Sequence, residues 1–344
     1  LPNLKNTSKP EWNQLNSKAI QTIATEIYQS YSSFFKLIKK DNTARPPKKK
    51  DINNIFHTIV FNQSGWSFKN NLLYINKIPF QYSTHLENIK DLNIKEIRVK
   101  FKNNKWLVDL VCSEIIEYQD KLEIETKILA IDLGLKTLAT CVDNKGNTIV
   151  LHNKSKKNNK YFNKHINNIK SKLSKKNKNS KSYNKLNSTK RKLYSKKNSQ
   201  IKQTLHIQSK KLANMNYNTI VVGDLTVKKL MSKEKQNFKG IRKSFNDSNI
   251  TMFVNFLTYK CQNKNTNLIK IDERFTTQLN SLTGKLFKDK IELEQRTVEL
   301  KPGIFIDRDI NSAVNILKRF YDNHLASMNE PLGENFSLFV LDKL

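Results

Sequence analysis

Apolar residues recur at steps of three and four through residues 11–40, at Leu15, Ala19, Ile20, Ile23, Ile27, Tyr31, Phe34, Phe35 and Ile38. That spacing gathers one stripe on a 3.6-residue period and predicts an amphipathic helix. The RPPKKKD stretch ends it and acts as a hinge, because consecutive prolines cannot continue a helix. From 54 to 115 the period changes to two, in IFHTIVF, LLYINKI, EIRVKF and KWLVDLVCSEI, which is the texture of strands. Buried-strand runs follow: ILAIDL up to a tight turn at Gly134, TLATCVD directly after it, and TIVLHN at 148–153. A long basic helical region separates these from a fourth strand, TIVVGDL (219–225). A helix near 247–263 leads to a fifth strand, LIKIDE (268–273), and IDRDINSAVNILKRF (306–320) starts a closing helix at an acid.

Three strands, a helix, a strand, a helix, a strand and a final helix is the order of an RNase H-like sheet, so the expected class is α/β. Asp132 stands inside the first of those strands. A buried carboxylate there costs several kcal/mol unless it is compensated, and a metal ion held with further carboxylates is the usual compensation. In that fold, acids from the first strand, the fourth strand and the last helix meet at one edge and hold two Mg²⁺ ions. Two metals about 3.5–4 Å apart activate water and stabilise the leaving oxygen of a phosphodiester.

Charge narrows the partner. With 62 Lys+Arg against 30 Asp+Glu the net charge is +32 over 344 residues, far beyond what solubility needs, and it predicts a polyanion. The excess concentrates in 154–213, within a stretch from 144 to 223 that contains no acid after Asp143. Tyr161, Phe162, Ile166, Ile169, Leu173, Leu186, Leu193, Ile201, Leu205, Ile207 and Leu212 supply a thin apolar seam for a helical hairpin. Its wide cationic faces would repel themselves without phosphates to neutralise them, so Lys172, Lys175, Lys176, Lys190, Arg191, Lys192, Lys196 and Lys197 are the expected nucleic-acid contacts. No run of 18 apolar residues exists to span a membrane. Cys112, Cys141 and Cys261 are scattered among apolar neighbours and read as reduced, buried thiols. The expected location is the cytoplasm. The opening LPNLKNTSKP has no initiator Met and reads as a trimmed start.

AIDLGLKTLAT, IVVGDL and DRDINSAVNIL together resemble the three RuvC motifs of the TnpB-type nucleases, transposon-encoded RNA-guided enzymes of the OrfB family related to type V CRISPR effectors. The resemblance is firm over 128–322 and looser over 10–127. It implies an RNA-guided DNA endonuclease with guide RNA and target DNA as partners, cytoplasmic and nucleoid-associated, and prokaryotic or encoded by a mobile element. It also implies an N-terminal helical and β-barrel (recognition and wedge) region before the RuvC domain. The domains expected are a helical recognition segment (1–50), a wedge-like domain (51–127) incomplete at its start, the RuvC domain (128–322) and a tail (323–344).

Two departures from the family matter. Its fourth strand ends in Glu-Asp-Leu, with the Glu as second catalytic carboxylate; here Gly223 stands at that position, before Asp224 and Leu225. Asp224 is a poor substitute, since adjacent strand residues point to opposite faces. Glu273, at the end of a neighbouring strand about 4.8 Å away, has the length to reach the space that Gly223 clears. The expected catalytic and metal-binding set is therefore Asp132, Glu273 and Asp309, with two Mg²⁺. Asp309 is preferred to Asp307 because it directly precedes INSAVNIL at a helix N-terminus. The family's zinc ribbon has lost its ligands: Asn280, Thr283, Glu299 and Pro302 stand where cysteines would, which predicts a metal-free ribbon remnant over 276–305. A nuclease-dead guided repressor, or a guide-independent RNase H-fold transposase or resolvase, are the alternative readings.

Overall fold

The computed structural model describes residues 16–48, 58–62, 64–86, 88–102, 105–113, 127–178, 180–224, 246–292 and 294–326. Leu15, the start of IFHTIVF, the end of KWLVDLVCSEI, Leu225 and most of the expected tail lie outside these. The chain divides into two compact units, Leu1–Ile115 and Ile116–Leu344.

In the first unit, α1 (Ser17–Ile38) starts at Asn16, whose side-chain oxygen accepts from the Lys18 N–H at 2.8 Å. It ends before the prolines. The Lys40 and Asp41 N–H groups both fold back on the Leu37 carbonyl, and the Asp41 carboxylate then accepts from the Thr43 N–H at 2.9 Å. This local side-chain turn, rather than RPP, is the stop signal. Strands β1 (Ile59–Asn62), β5 (Ile94–Lys102) and β6 (Lys105–Cys112) form one antiparallel sheet in the order β1-β5-β6. A second sheet is the meander β2 (Trp66–Lys69), β3 (Leu72–Ile75) and β4 (Ile78–Gln81). Its two connections place Asn70, Asn71, Asn76 and Lys77 at positive φ, the tight turn whose twist matches that of the paired strands. Among the described residues these strands pair as two three-stranded sheets. Ala19, Phe61, Leu73 and Ile97 are the buried centre, while Ile27 and Phe35 on α1 are more than half exposed. Cys112 is exposed, contrary to expectation, because it closes β6, which pairs only with β5 among the described residues.

The second unit is α/β. Its five-stranded sheet runs β11-β10-β7-β8-β9, from β7 (Ile128–Leu133), β8 (Thr137–Asp143), β9 (Thr148–His152), β10 (Thr219–Gly223) and β11 (Asn267–Ile271). The first three are antiparallel neighbours, whereas β10 pairs parallel to both β7 and β11. Helices cover both faces. α3 (Lys181–Ala213) and α4 (Ile250–Gln262) bury Leu205, Leu212, Phe253 and Leu257 against Leu129, Ile131, Leu138, Ile220 and Val222. On the other face α5 (Arg308–Ala326) packs Ile316, Leu317 and Phe320 onto Ile128, Ala130, Val221 and Ile271. The period-two split of β7 between two apolar layers explains its continuous aliphatic sequence.

The basic segment folds as a hairpin of α2 (Lys154–Ser174) and α3, capped by the side chains of Asn153 and Ser180. Its seam is narrower than expected. Phe162, Ile166, Leu173, Ile201, Leu205 and Leu212 are buried, but Tyr161 is 62% and Ile207 63% exposed. Each stands one or two residues from a buried position, hence on a different face of its helix.

Candidate active site

The alternation along β7 that sends Ile128 and Ala130 toward α5 sends Asp132 there too. Asp132 lies half-buried, and the Ser312 hydroxyl on α5 donates to its Oδ1 at 3.1 Å. Its carboxyl is pushed well above the usual carboxylate range, first by burial, then by the charges of Asp309 and Glu273. A carboxylate that is desolvated beside two others is a place where positive charge is favoured.

Glu273 reaches the position left open by glycine. Gly223 pairs with Ile271, so Glu273 emerges two residues beyond that pairing at the same end of the sheet. A Cβ built on Gly223 would collide with Glu273 Oε2, and would lie 3.1 Å from Glu273 Cβ and 3.2 Å from Ile316 Cδ1. The carboxylate thus occupies the space a side chain at 223 would fill. Its Oε2 is buried without a hydrogen-bond partner among the described residues. Burial first, then Asp224 and Asp272, push its pKa up to about 7. Asp224 itself is exposed and lies beside Leu133, Val222 and Ile250, on the face covered by α4.

Asp309, in the first turn of α5, is held by two arginines. Arg308 approaches Oδ1 at 3.1 Å and Arg296 approaches Oδ2 at 3.4 Å. Asp307 is the cap of the helix, its Oδ1 accepting from the N–H groups of Asp309 (2.8 Å) and Ile310 (3.2 Å). Asp132 therefore feels the charges of both other expected acids, yet among the described residues no group of three His, Cys, Asp or Glu side chains is arranged to hold a metal ion. Asp132 and Glu273 have the desolvated, under-partnered oxygens that suit a divalent cation; Asp309 does so only after exchanging its guanidinium partners.

The turn that carries Glu273 is fastened to α5. The side chains of Asn311 and Asn315 donate to the Leu279 carbonyl at 2.8 and 2.7 Å, and Asn315 also donates to the Thr276 carbonyl at 2.8 Å. Arg319 donates to the carbonyls of Asp272 (2.6 Å) and Arg274 (2.9 Å). Sequence reasoning missed Ser312, Thr276, Arg296 and Arg308. For Ser312 the signal was present, since Asp309 and Ser312 are three apart and share a helical face.

In the segment expected to be a ribbon remnant, β12 (Thr297–Lys301) and β13 (Ile304–Asp307) form a hairpin over a small core of Ile291, Val298, Leu300 and Ile306. Two of the residues that the resemblance aligns with zinc ligands, Asn280 and Glu299, make local hydrogen bonds instead. Asn280 accepts from the N–H groups of Leu282 (2.9 Å) and Thr283 (3.2 Å) and donates to the Leu300 carbonyl at 2.8 Å, tying one turn to the other. Glu299 accepts from the Gly303 N–H at 2.9 Å. On the basic hairpin, Lys172, Lys175, Lys176, Arg191, Lys192 and Lys196 are exposed; Lys190 and Lys197 are half-buried, and Lys197 donates to Asn163 at 2.8 Å.

Comparison with known proteins gives two family matches. Residues 110–234 match the probable transposase family OrfB_IS605, and residues 251–316 match the Cas12f1-like TNB domain. Both accord with the motif resemblance to TnpB-type nucleases. A protein of Streptomyces pristinaespiralis named "Putative RNA-guided DNA endonuclease" is 32% identical over 113 residues, covering 33% of this chain and 27% of that protein. The chain thus spans about a quarter of the length of the curated relative it matches. A cryo-EM structure of a Cas12f1–sgRNA–target DNA complex aligns over 82% of this chain and 74% of that one, at 17% identity and a TM-score of 0.40. A CRISPR–Cas12f ternary complex aligns over 92% and 73%, at 13% identity and a TM-score of 0.40. Among the described residues no helix is long and apolar enough to cross a membrane.

Proposed function

We propose that this chain, similar in two segments to the OrfB_IS605 transposases and the Cas12f1-like TNB domain, is an RNA-guided DNA endonuclease of the TnpB type. An active site on an RNase H-like (RuvC) sheet is supported by the strand order β11-β10-β7-β8-β9, in which β7, β8 and β9 are antiparallel neighbours and β10 is parallel to both β7 and β11. The helix and sheets of the first unit would form the recognition and wedge region. The observation that carries the reading is the Glu273 carboxylate lying over Gly223, where the family's second acid would project.

Asp132, Glu273 and Asp309 would hold two Mg²⁺ ions. Divalent cations supply Lewis-acid activation of water and of the leaving oxygen in phosphodiester hydrolysis. The residues themselves prepare the site. Ser312 fixes one oxygen of Asp132, leaving the other open to a ligand. Gly223 gives Glu273 its room, and the α5 contacts hold the turn behind it. Asp309, paired here with Arg296 and Arg308, would exchange those partners to join the set. The lysines of the basic hairpin bind phosphates without reading sequence, leaving target choice to base pairing between guide RNA and DNA.

The test is a plasmid-cleavage assay with Mg²⁺ and RNA transcribed from the DNA flanking the gene, comparing the parent with Asp132→Asn and Glu273→Gln. Guided cleavage by the parent, lost in both variants, is expected. Tight guided binding without cleavage would instead identify a repressor. Cleavage that needs no RNA would identify a transposase or resolvase.

A further inference from the structure

Behind the carboxylates, two buried hydroxyls join the last helix to the turn of Glu273. Ser312 is fully buried and Thr276 is 2% exposed. Ser312 Oγ donates to Asp132 Oδ1 at 3.1 Å, and the same oxygen lies 3.0 Å from Thr276 Oγ1. Thr276 Oγ1 in turn lies 2.9 Å from the Glu273 carbonyl, to which the Thr276 N–H also donates at 3.2 Å. The chain therefore runs Asp132, Ser312, Thr276, Glu273 without a gap, across 180 residues of sequence between its first two members.

We propose that Ser312 and Thr276 are positioning residues that set the Asp132 carboxylate and the Glu273 turn as one unit for cation binding. The inference rests on the nuclease reading and adds to it two groups that touch no substrate. An ionised carboxylate only accepts hydrogen bonds, so the single Ser312 proton is committed to Asp132. Ser312 Oγ is then left as an acceptor facing Thr276, whose one proton is shared between Ser312 and the Glu273 carbonyl. A buried chain of this kind polarises along its length, strengthening the bond to the carboxylate. Removing the Ser312 hydroxyl takes away the hydrogen bond that orients Asp132, and removing the Thr276 hydroxyl unlinks Ser312, and through it Asp132, from the Glu273 turn. Partners that orient a metal-binding carboxylate in this way change cation affinity by about 10–100-fold when deleted.

Binding of Mn²⁺ to the full chain, followed by the electron paramagnetic resonance signal of the free ion, reads this directly, with melting in EDTA as the control for folding. Ser312→Ala and Thr276→Val are expected to weaken Mn²⁺ binding by about tenfold while melting in EDTA within a few degrees of the parent. Thr276→Ser, which keeps the hydroxyl, should bind within about twofold of the parent. Parent-like Mn²⁺ affinity in both Ser312→Ala and Thr276→Val overturns the proposal while leaving the nuclease reading intact, provided Asp132→Asn abolishes binding. Loss of binding that tracks a large drop in melting temperature, unrescued by Thr276→Ser, also overturns it, because the hydroxyls would then serve only the fold. A parent that binds no Mn²⁺ removes the proposal and its premise together.

Discussion

Replacing Glu273 by glutamine should make the cation-free protein more stable while removing its proposed activity. The carboxyl is pushed from an ordinary 4.5 to about 7, chiefly by burial. Because the folded-state value is raised, charging the group opposes folding: the cost is absent below the unfolded pKa, grows between about pH 4.5 and 7, and is complete above that. A shift of that size corresponds to about 3 kcal/mol. Glu273 is not fully removed from solvent, and a glutamine amide buries polar atoms of its own, so the expected gain is about 1–2 kcal/mol. For a domain of this size that is a rise of roughly 3–6 °C in melting temperature. The assay is thermal unfolding in EDTA at pH 8 and at pH 4.5, alongside guided cleavage and guided binding in Mg²⁺. The gain should appear at pH 8 and vanish at pH 4.5, with cleavage lost and binding retained. An equal gain at both pH values, or none at pH 8, would refute the burial argument. Undiminished cleavage would remove Glu273 from the site.

Three further outcomes follow from the same geometry. Gly223→Glu alone should impair cleavage in the plasmid assay, because its Cβ collides with Glu273 Oε2; combined with Glu273→Ala it should recover part of the activity, limited by the 3.1 and 3.2 Å approaches to Glu273 Cβ and Ile316. Neutralising Lys172, Lys175, Lys192 and Lys196 should weaken nucleic-acid binding at all sequences and lower the salt slope by roughly one unit for each phosphate the lysines no longer bind; an unchanged slope would mean a merely solvated face. Asn280→Ala should destabilise this hairpin region by about 1–3 kcal/mol, since it deletes two hydrogen bonds within one turn and the one that joins that turn to the Leu300 carbonyl. That destabilisation should be the same with and without a chelator, and elemental analysis should find no stoichiometric zinc in the parent.

The sequence determined the layers. Period-two and 3.6-residue patterns, with continuous aliphatic runs, located β7 through β11, the basic hairpin and α5, because burial on one face or two imprints itself directly on residue order. It also fixed Asp132 on the face of Ile128 and Ala130, and marked Gly223 and the absent ribbon cysteines as departures that something must answer. Details that depend on local competition were less legible. α1 stops at an Asp41 turn ahead of its prolines, and Tyr161 and Ile207 miss the seam by one or two residues. What only the tertiary structure decided were the meetings of side chains far apart in the chain. The filling of the Gly223 space by Glu273, the capture of Asp309 by Arg296 and Arg308, and the bridge from Ser312 to Thr276 all depend on where strand ends and α5 converge. A one-dimensional pattern records whether a residue is buried; which polar group meets it there is set by packing geometry, and each such group had to find its partner within about 3 Å.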